Sequence, residues 1–411
     1  MSGMTGTQQP PHPSPLPQAE DGAALEEFRQ EVRDFLKANL SPELAERVKA
    51  GYYLGKPELD RWQRALYERG WAGTNWPVEH GGTGWTPMQK YIFEDECANA
   101  GAPILIMMGL NQVAALLMAA GTEEQKKRHL QGILDGTDLW CQGLSEPNSG
   151  SYLASLKCAA WREGDEYVVD GSKIWTTAAH WASWCFLLVR TGNDGRKQEG
   201  ITILLLDMKT PGITIRPIIG LDGMHSLNQL FLDKVRIPAS CRVGEEGKGW
   251  PLMKYFLGHE RLSAAGIWKC KAHFARLVKI AQATRRDGRP LIENARFRDR
   301  MAWLEIRMRA LEVLLLSIIG DSAKAKGAEG AMLKLRGTEL QQEMLAMMSE
   351  ASGPYAVPFH PEVLRTGWTG EPVGPEFATT ATPFYLFWRK STISGGSSEI
   401  MRNVIAQNLF A

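Results

Sequence analysis

A glutamate on an apolar helix face is the first residue able to do chemistry. In GWPLMKYFLGHERLSAAG (249–266) and the residues that follow, Leu252, Phe256, Ser263, Ile267, Cys270, Phe274 and Ala281 trace one stripe at helical spacing. Glu260 falls at the edge of that stripe, between Phe256 and Ser263, and Arg261 points to the opposite side. A carboxylate against an apolar wall is costly unless paired, and desolvation raises its pKa. A raised carboxylate is suited to removing a carbon-bound proton. The alternative is a rim carboxylate paired with a neighbouring helix or subunit, and the isolated pattern favours it.

Three further segments carry polar chemistry. CQGLSEPNSGSYLASL (141–156) is a polar loop in which Ser145, Asn148, Ser149, Gly150 and Ser151 offer hydroxyls and free backbone N–H groups. Such a loop can hold a flavin edge or a phosphate without net charge, or it is an ordinary Ser/Gly loop. KIWTTAAHW (173–181) places Trp175 and Thr177 on alternate positions of a strand, an aromatic plane beside a hydroxyl, or else a core tryptophan. STISGGSSEIMRNVIAQNLF (391–410) has a Gly-Gly-Ser-Ser turn before a helix with Ile400, Val404 and Leu409. Its N–H groups can meet a pyrophosphate, or Ser397 or Ser398 is a plain N-cap.

Other chemistries are excluded or demoted. Lys plus Arg number 47 and Asp plus Glu 46, so the net charge of +1 argues against a polycation built for nucleic acid or an anionic membrane. No G-x-G-x-x-G follows a strand, and GEEGK (244–248) fails the P-loop spacing. His259-Glu260 is not followed by the second histidine of a zinc protease, and the 8 histidines are scattered, so no metal site is expected. There is no G-x-S-x-G nucleophile elbow. The 6 cysteines form no C-x-x-C, which fits a reducing cytoplasm.

The elements that must position these groups read as helical, β, helical over 411 residues. A Pro-, Gln- and Ser-rich leader (1–22) without an apolar core is expected to be disordered and is not a signal peptide. A helical domain is expected over 23–138, with Leu25, Phe28, Val32, Phe35 and Leu36 at helical spacing. Ser41-Pro42 reads as an N-cap, Thr122 with Gln125 as a capping box, and NWPVEHGGTGWTP (75–87) as a glycine-rich break. The uncharged stretch 97–122 nearly reaches bilayer length, but Asn111, Gln112 and Gly109 interrupt it, so a helix buried on all sides is the better reading. Over 139–242 the period changes to short β runs, EYVVDG, WCFLLVRT, GITILLLDM, GITIRPI and QLFLDKVRIP, separated by turn residues. Helices return from Pro251, run through Arg286 and restart at Phe297, Ala331 and Pro383, making 243–411 a third, helical unit.

Together these segments resemble the acyl-CoA dehydrogenase family over essentially the whole chain after the leader. The motifs that carry the resemblance, in the family's order, are WPVEHGGTGW (76–85), SEPNSGS (145–151), GSKIWTT (171–177), DKVRIP (233–238), HERLS (259–263) and GGSSEIMRN (395–403). The pattern is similar to the large (α) subunits that act on pimeloyl-CoA and on steroid side-chain CoA thioesters. The resemblance implies an α+β, mostly α fold with an N-terminal helical domain, a central β-barrel and a C-terminal four-helix bundle that drives tetramer formation. It also implies FAD, an acyl-CoA substrate and electron transfer flavoprotein as acceptor, in the cytoplasm, with no nucleic acid and no membrane.

Carried over by position, Gln142, Leu144 and Ser145 would line the flavin ring, with Gly150 in the same loop and Ser151 near the phosphates or the CoA. Trp175 and Thr177 would cover the flavin, and Ser397 and Glu399 would contact it from the final loop. Arg261 joins Ser151 on the substrate side. Many members carry the catalytic glutamate where this chain has Gly395; another branch carries it on the helix, where the motif coincides with Glu260. Glu260 would then remove the α-proton while the β-hydride leaves to flavin N5, giving the trans-2-enoyl-CoA. A ribityl hydroxyl and the glutamate's own N–H would stabilise the thioester oxygen. The chain departs from the family at Tyr152, usually Asp, at Thr284, where an arginine reaches a neighbour's FAD, and near Ser349, where a glutamine does. Arg285 and Arg286 stand beside the first loss. Both losses fit an α2β2 heterotetramer with a smaller homologous partner, against the homotetramer otherwise expected. A non-catalytic structural subunit and an oxygen-using flavoenzyme of the same fold are the alternative readings. The acyl chain cannot be read from the residues.

Overall fold

The computed structural model describes residues 22–193, 195–255, 266–320, 328–365 and 367–410. The leader's first 21 residues, Glu260 and Arg261 lie outside these ranges.

The N-terminal helices are α1 (Gly22–Asn39), α2 (Pro42–Lys49), α3 (Lys56–Glu68), α4 (Pro87–Ala100), α5 (Ala114–Ala120) and α6 (Glu123–Asp135). Their ends obey local rules. Ser41 accepts from the Leu44 N–H with Pro42 in the first turn, and Thr122 and Gln125 close a reciprocal capping box. The glycine-rich break holds a short 3₁₀ turn, Val78–His80, and Trp76 Nε1 donates to the Leu110 carbonyl at 2.6 Å. A side chain at Gly82 would collide with the Trp76 backbone, so only glycine fits that crossing.

The stretch 97–122 is not one buried helix. α4 ends at Gly101 in the left-handed conformation, the chain runs irregularly past a half-exposed Ile104, and Met108–Val113 forms a wide π turn before α5 begins. Gly109 lies against Ile133 and Trp140, so the turn widens where small and polar residues meet the sheet. No helix among the described residues is long and apolar enough to cross a membrane.

Eight strands follow: β1 (Trp140–Gly143), β2 (Ala159–Glu163), β3 (Glu166–Thr177), β4 (Trp184–Arg190), β5 (Ile201–Asp207), β6 (Ile213–Ile219), β7 (His225–Pro238) and β8 (Arg242–Val243). They form one sheet in the order β6-β7-β3-β2-β4-β5-β8, with β1 parallel to β4. β6 and β8 end the path and do not pair with each other, so the expected barrel is corrected to an open sheet. β4 is buried on both faces. Trp184, Phe186 and Leu188 join the core of the N-terminal helices, while Cys185, Leu187 and Val189 join the core between the strands.

The C-terminal helices are α7 (Ile267–Ala283), α8 (Ala295–Gly320), α9 (Glu329–Ala351), α10 (Glu376–Trp388) and α11 (Ser398–Phe410). α9 packs against α7, α8, α10 and α11 and is the axis of the bundle. Two expectations shift here. α7 stops at Ala283, after which Arg285–Arg286 and Arg289–Pro290 form a small hairpin. Pro383 lies inside α10 rather than at its start. Lys271 of α7 ties the bundle to the N-terminal helices, reaching Asp95 of α4 at 2.6 Å and Glu312 of α8 at 3.0 Å. Tyr91 donates to the same Glu312 carboxylate at 2.6 Å.

His129 of α6 is wedged edge-on between Trp140 and Trp184, where helices meet sheet, and burial lowers its pKa to about 4. The unfolded chain therefore takes up a proton that the folded chain refuses between the ordinary histidine pKa of about 6.5 and about 4. Stability conferred by the neutral ring is fully present above pH 6.5 and declines by up to about 1.4 kcal/mol per pH unit below it. His129→Phe, which keeps the ring contacts, is expected to flatten the acid limb of a denaturant-unfolding series run from pH 7.5 to 4.5. An unaltered acid limb would contradict this assignment.

Candidate active site

The polar loop and the tryptophan strand are brought together by a buried ion pair. Lys173 of β3 has no exposed surface, and its ammonium sits 2.8 Å from Glu146 Oε1 and 3.3 Å from the Leu144 carbonyl. Glu146 also accepts from the Lys157 and Cys158 backbone N–H groups at 2.6 and 2.8 Å. Its carboxylate is thus fully used, as burial demands. Beside it the Ile174 N–H donates to the Ser145 carbonyl at 2.9 Å. Motifs SEPNSGS and GSKIWTT are therefore two halves of one assembly. Lys173 and Glu146 escaped the sequence reading of individual residues, although both lie inside quoted motifs.

Immediately beyond Lys173 the strand is strained. The β3–β7 register shifts between Lys173 and Thr176, and Trp175 adopts φ +61° with its indole 56% exposed. A bulky residue in the left-handed region costs of order 1–3 kcal/mol and persists only where the surroundings over-determine it. Thr176 turns into the core with its hydroxyl unpartnered, and Thr177 is half-buried. Fully buried Asn228 supports the segment from behind. Its Nδ2 donates to the Thr176 carbonyl at 3.1 Å, and its side chain contacts the stacked rings of His180 and His225. Burial, aided by His225, keeps the His180 pKa below its usual value.

The remaining expected positions sort clearly. Gln142 is on β1 with its Oε1 buried and unpartnered; Leu144 and Ser145 are half-buried beside it. Gly150 and Ser151 are exposed at the tip of the loop, and nothing lies within 4 Å of a side chain built at Gly150. Tyr152 is also exposed, with Lys197 Nζ 5.2 Å from its ring centre. Ser397 and Glu399 form a second group, on the bundle. Gly395 and Gly396 take positive φ, the Ser397 hydroxyl accepts from the Ile400 N–H at 3.4 Å, and buried Lys334 of α9 donates to the Gly396 carbonyl. The exposed Glu399 carboxyl is held below its usual pKa by its own N–H and the Ser397 hydroxyl at the helix start. Glu260 and Arg261, the expected base and substrate residue, belong to 256–265 and are outside the described residues.

The arrangement fits a flat, hydrogen-bonding ring system. A large indole held out of the core at a backbone cost offers a stacking face, and the unpartnered Gln142 oxygen offers an acceptor to an imide-type N–H. No cluster of metal-ligating side chains occurs among the described residues.

Comparison with known proteins gives the family. Residues 23–137, 141–235 and 247–410 match the N-terminal, middle and C-terminal domains of acyl-CoA dehydrogenases. The chain is 34% identical over 396 residues to acyl-CoA dehydrogenase IpdE1 of Mycobacterium tuberculosis, covering 94% of this chain and 97% of that one. The chain belongs to the acyl-CoA dehydrogenase family. Among solved structures of that family, the Tcur3481-Tcur3483 steroid ACAD superposes with a TM-score of 0.79 at 30% identity, covering 94% of this chain and 97% of that one. The ChsE4-ChsE5 complex of Mycobacterium tuberculosis superposes with a TM-score of 0.78 at 28% identity, covering 95% and 98%. As an acyl-CoA dehydrogenase family member the chain is an oxidoreductase acting on acyl-CoA, and the family is generally flavin-dependent.

Removing one partner of the Lys173–Glu146 pair leaves a buried charge uncompensated. Lys173→Met is expected to lower unfolding free energy by about 3–5 kcal/mol. It should also release the 144–151 loop, read as loss of bound flavin in the visible spectrum. A variant with wild-type denaturation midpoint and flavin content would show that the pair is dispensable.

Proposed function

We propose that the chain catalyses FAD-dependent α,β-dehydrogenation of an acyl-CoA thioester to the trans-2-enoyl-CoA, with Glu260 as base. What carries the flavin part is the exposed, strained Trp175 indole, with the unpartnered Gln142 oxygen as a second support. Gln142, Leu144, Ser145, Trp175 and Thr177 would hold the ring, Gly150 and Ser151 the phosphate side, and Ser397 and Glu399 would close the site from the bundle. A bound flavin would supply the hydride acceptor. Glu260, at the edge of the apolar stripe in the sequence, would take the α-proton onto its carboxylate. Arg261 and Ser151 serve the CoA side.

The reading has three segments, 23–138, 139–242 and 243–411, acting as helical, sheet and bundle units in the cytoplasm. Electron transfer flavoprotein is the proposed acceptor. Thr284 and Ser349, standing where the family places groups donated to a neighbour's cofactor, support an α2β2 assembly with a smaller homologous chain. Two structural relatives carry names of paired chains, Tcur3481-Tcur3483 and ChsE4-ChsE5, which supports the same arrangement.

Glu260→Gln is expected to retain flavin yet lose substrate bleaching by at least about 10²-fold, the lower range for a general base. Stopped-flow absorbance of the flavin band measures it, and bleaching at the wild-type rate would move the base elsewhere. Counting flavin per chain, alone and co-expressed with a partner, tests the assembly: full occupancy in a homo-oligomer would remove the heteromer.

A further inference from the structure

The turn that carries Trp175 is strained twice. Trp175 takes φ +61° and Ala178 φ +57°, so two residues with side chains occupy the left-handed region close together. Such backbone persists only where the surroundings over-determine it. Holds stand on both sides. Before the indole, Lys173 is fixed by Glu146 at 2.8 Å. After it, the Ala178 N–H donates to the Ser226 carbonyl at 3.0 Å. Between them the Thr176 carbonyl accepts from Asn228 Nδ2 at 3.1 Å, while the Thr176 hydroxyl is buried without a partner. Fully buried Asn228 is therefore a side chain that grips the middle of the turn, one residue from the indole.

The hydrogen bonds of Asn228 fix which nitrogens around it carry hydrogen. A carbonyl oxygen only accepts, so the amide nitrogen must face Thr176. Its second hydrogen then points at His180 Nδ1, 3.1 Å away, which must offer a lone pair. The amide oxygen accepts from His225 Nε2 at 2.7 Å, so that nitrogen carries a hydrogen. The His180 ring is thus neutral, with its hydrogen on Nε2. A proton on Nδ1 would set donor against donor. Turning the amide over would relieve that clash but would aim Oδ1 at the Thr176 carbonyl, acceptor against acceptor. Either way the bond to Thr176 is lost.

The surroundings keep that proton off at neutral pH. Burial, and then His225, lower the His180 pKa. The two rings stack with centres 3.9 Å apart and planes at 24°, so a charge on one opposes a charge on the other. Trp181, tilted against His180 at 4.8 Å, brings no charge. Among the described residues no carboxylate acts on His180. Asp222, in the turn before β7, is held by the Tyr53 hydroxyl. Arg216 of β6 lies over Phe231 at 5.0 Å, on the face of β7 opposite Asn228.

We propose that Asn228 and His180 are positioning residues for the flavin-facing turn, Asn228 gripping the Thr176 carbonyl only while His180 Nδ1 is unprotonated. Flavin retention is thereby tied to a proton that takes no part in the dehydrogenation. The proposal rests on the reading of Trp175 and Thr177 as flavin contacts. Its sign follows from the neutral ring. The grip is complete above the ordinary histidine pKa of about 6.5 and is lost as the pH falls through the lowered value beneath it.

The test follows FAD release from the flavin-loaded enzyme, in the assembly that carries the flavin. Flavin fluorescence is recorded from pH 7.5 to 5.0, with circular dichroism confirming the fold at each pH. Wild-type release is expected to be slow and level above pH 6.5 and to quicken several-fold by pH 5.0. His180→Asn sets an oxygen acceptor close to where Nδ1 stands and cannot titrate; its release rate is expected to vary by less than about twofold across the range. Asn228→Leu is expected to release FAD about tenfold faster at pH 7.5, the order of one buried hydrogen bond lost, and with no further rise on acidification. Should Asn228→Leu fail to fold, His180→Asn decides the matter. A merely structural Asn228 would shift the denaturation midpoint and leave the pH profile of release as it is in the wild type. A level wild-type profile, or a wild-type profile in His180→Asn, overturns the proposal. Trp175→Leu separates the two readings. Faster release in that variant beside a wild-type profile in His180→Asn would remove this inference alone. Unaltered release in Trp175→Leu would remove the flavin reading of the turn as well.

Discussion

One buried charge pair organises the candidate site. Lys173 and Glu146 are 27 residues apart and join a strand to a loop whose backbones meet beside them through the Ile174 N–H and the Ser145 carbonyl. The ammonium also holds the Leu144 carbonyl, and the carboxylate gathers the N–H groups of Lys157 and Cys158, so both ends of the polar loop are tied to one point on β3. The strained Trp175 turn lies two residues further along that strand. Geometry of this kind needs a rigid anchor, because left-handed backbone relaxes wherever the chain is free to move. Buried ion pairs contribute little net stability over an apolar pair, so the benefit here is positional.

The bundle repeats the device. Lys334, also buried, holds the Gly396 carbonyl and thereby fixes the start of α11 from behind. Lys271 links α4 to α7 and α8 through Asp95 and Glu312. Two buried lysines and the half-buried Lys271 thus set the loop, the final turn and the seam between helical units. Each places a point charge on a long apolar stem that packs where a guanidinium would not fit as easily.

Much of this was legible in the residues. Five strands carried period-two or continuous β runs bounded by turn residues, and the caps at Ser41 and Thr122 carried their own side-chain logic. β1 and β2 were not legible: WCQG runs straight into a polar loop, and AAWRE is largely solvent-facing at its end, so neither has a bounded apolar signal. The break in 97–122 was hidden because an apolar run looks the same whether it forms one helix or a π turn and a short helix. Closure of the sheet depends on whether β6 and β8 meet, a long-range property that no local run encodes. The motifs revealed which segments matter, but the Lys173–Glu146 pair depends on how the polar loop after β1 and β3 lie together.

β4 has a consequence for how the molecule comes apart. Its residues alternate between the core of the N-terminal helices and the core between the strands, and β5 does the same through Ile203 and Leu205 on one side and Leu204 and Leu206 on the other. The two units share walls rather than touching across a surface. Neither can open without stripping apolar cover from the other, which makes helices and sheet one cooperative foldon rather than two modules joined by a linker. A cut between residues 137 and 141 would fall at a sequence boundary but would leave half of a common core facing water.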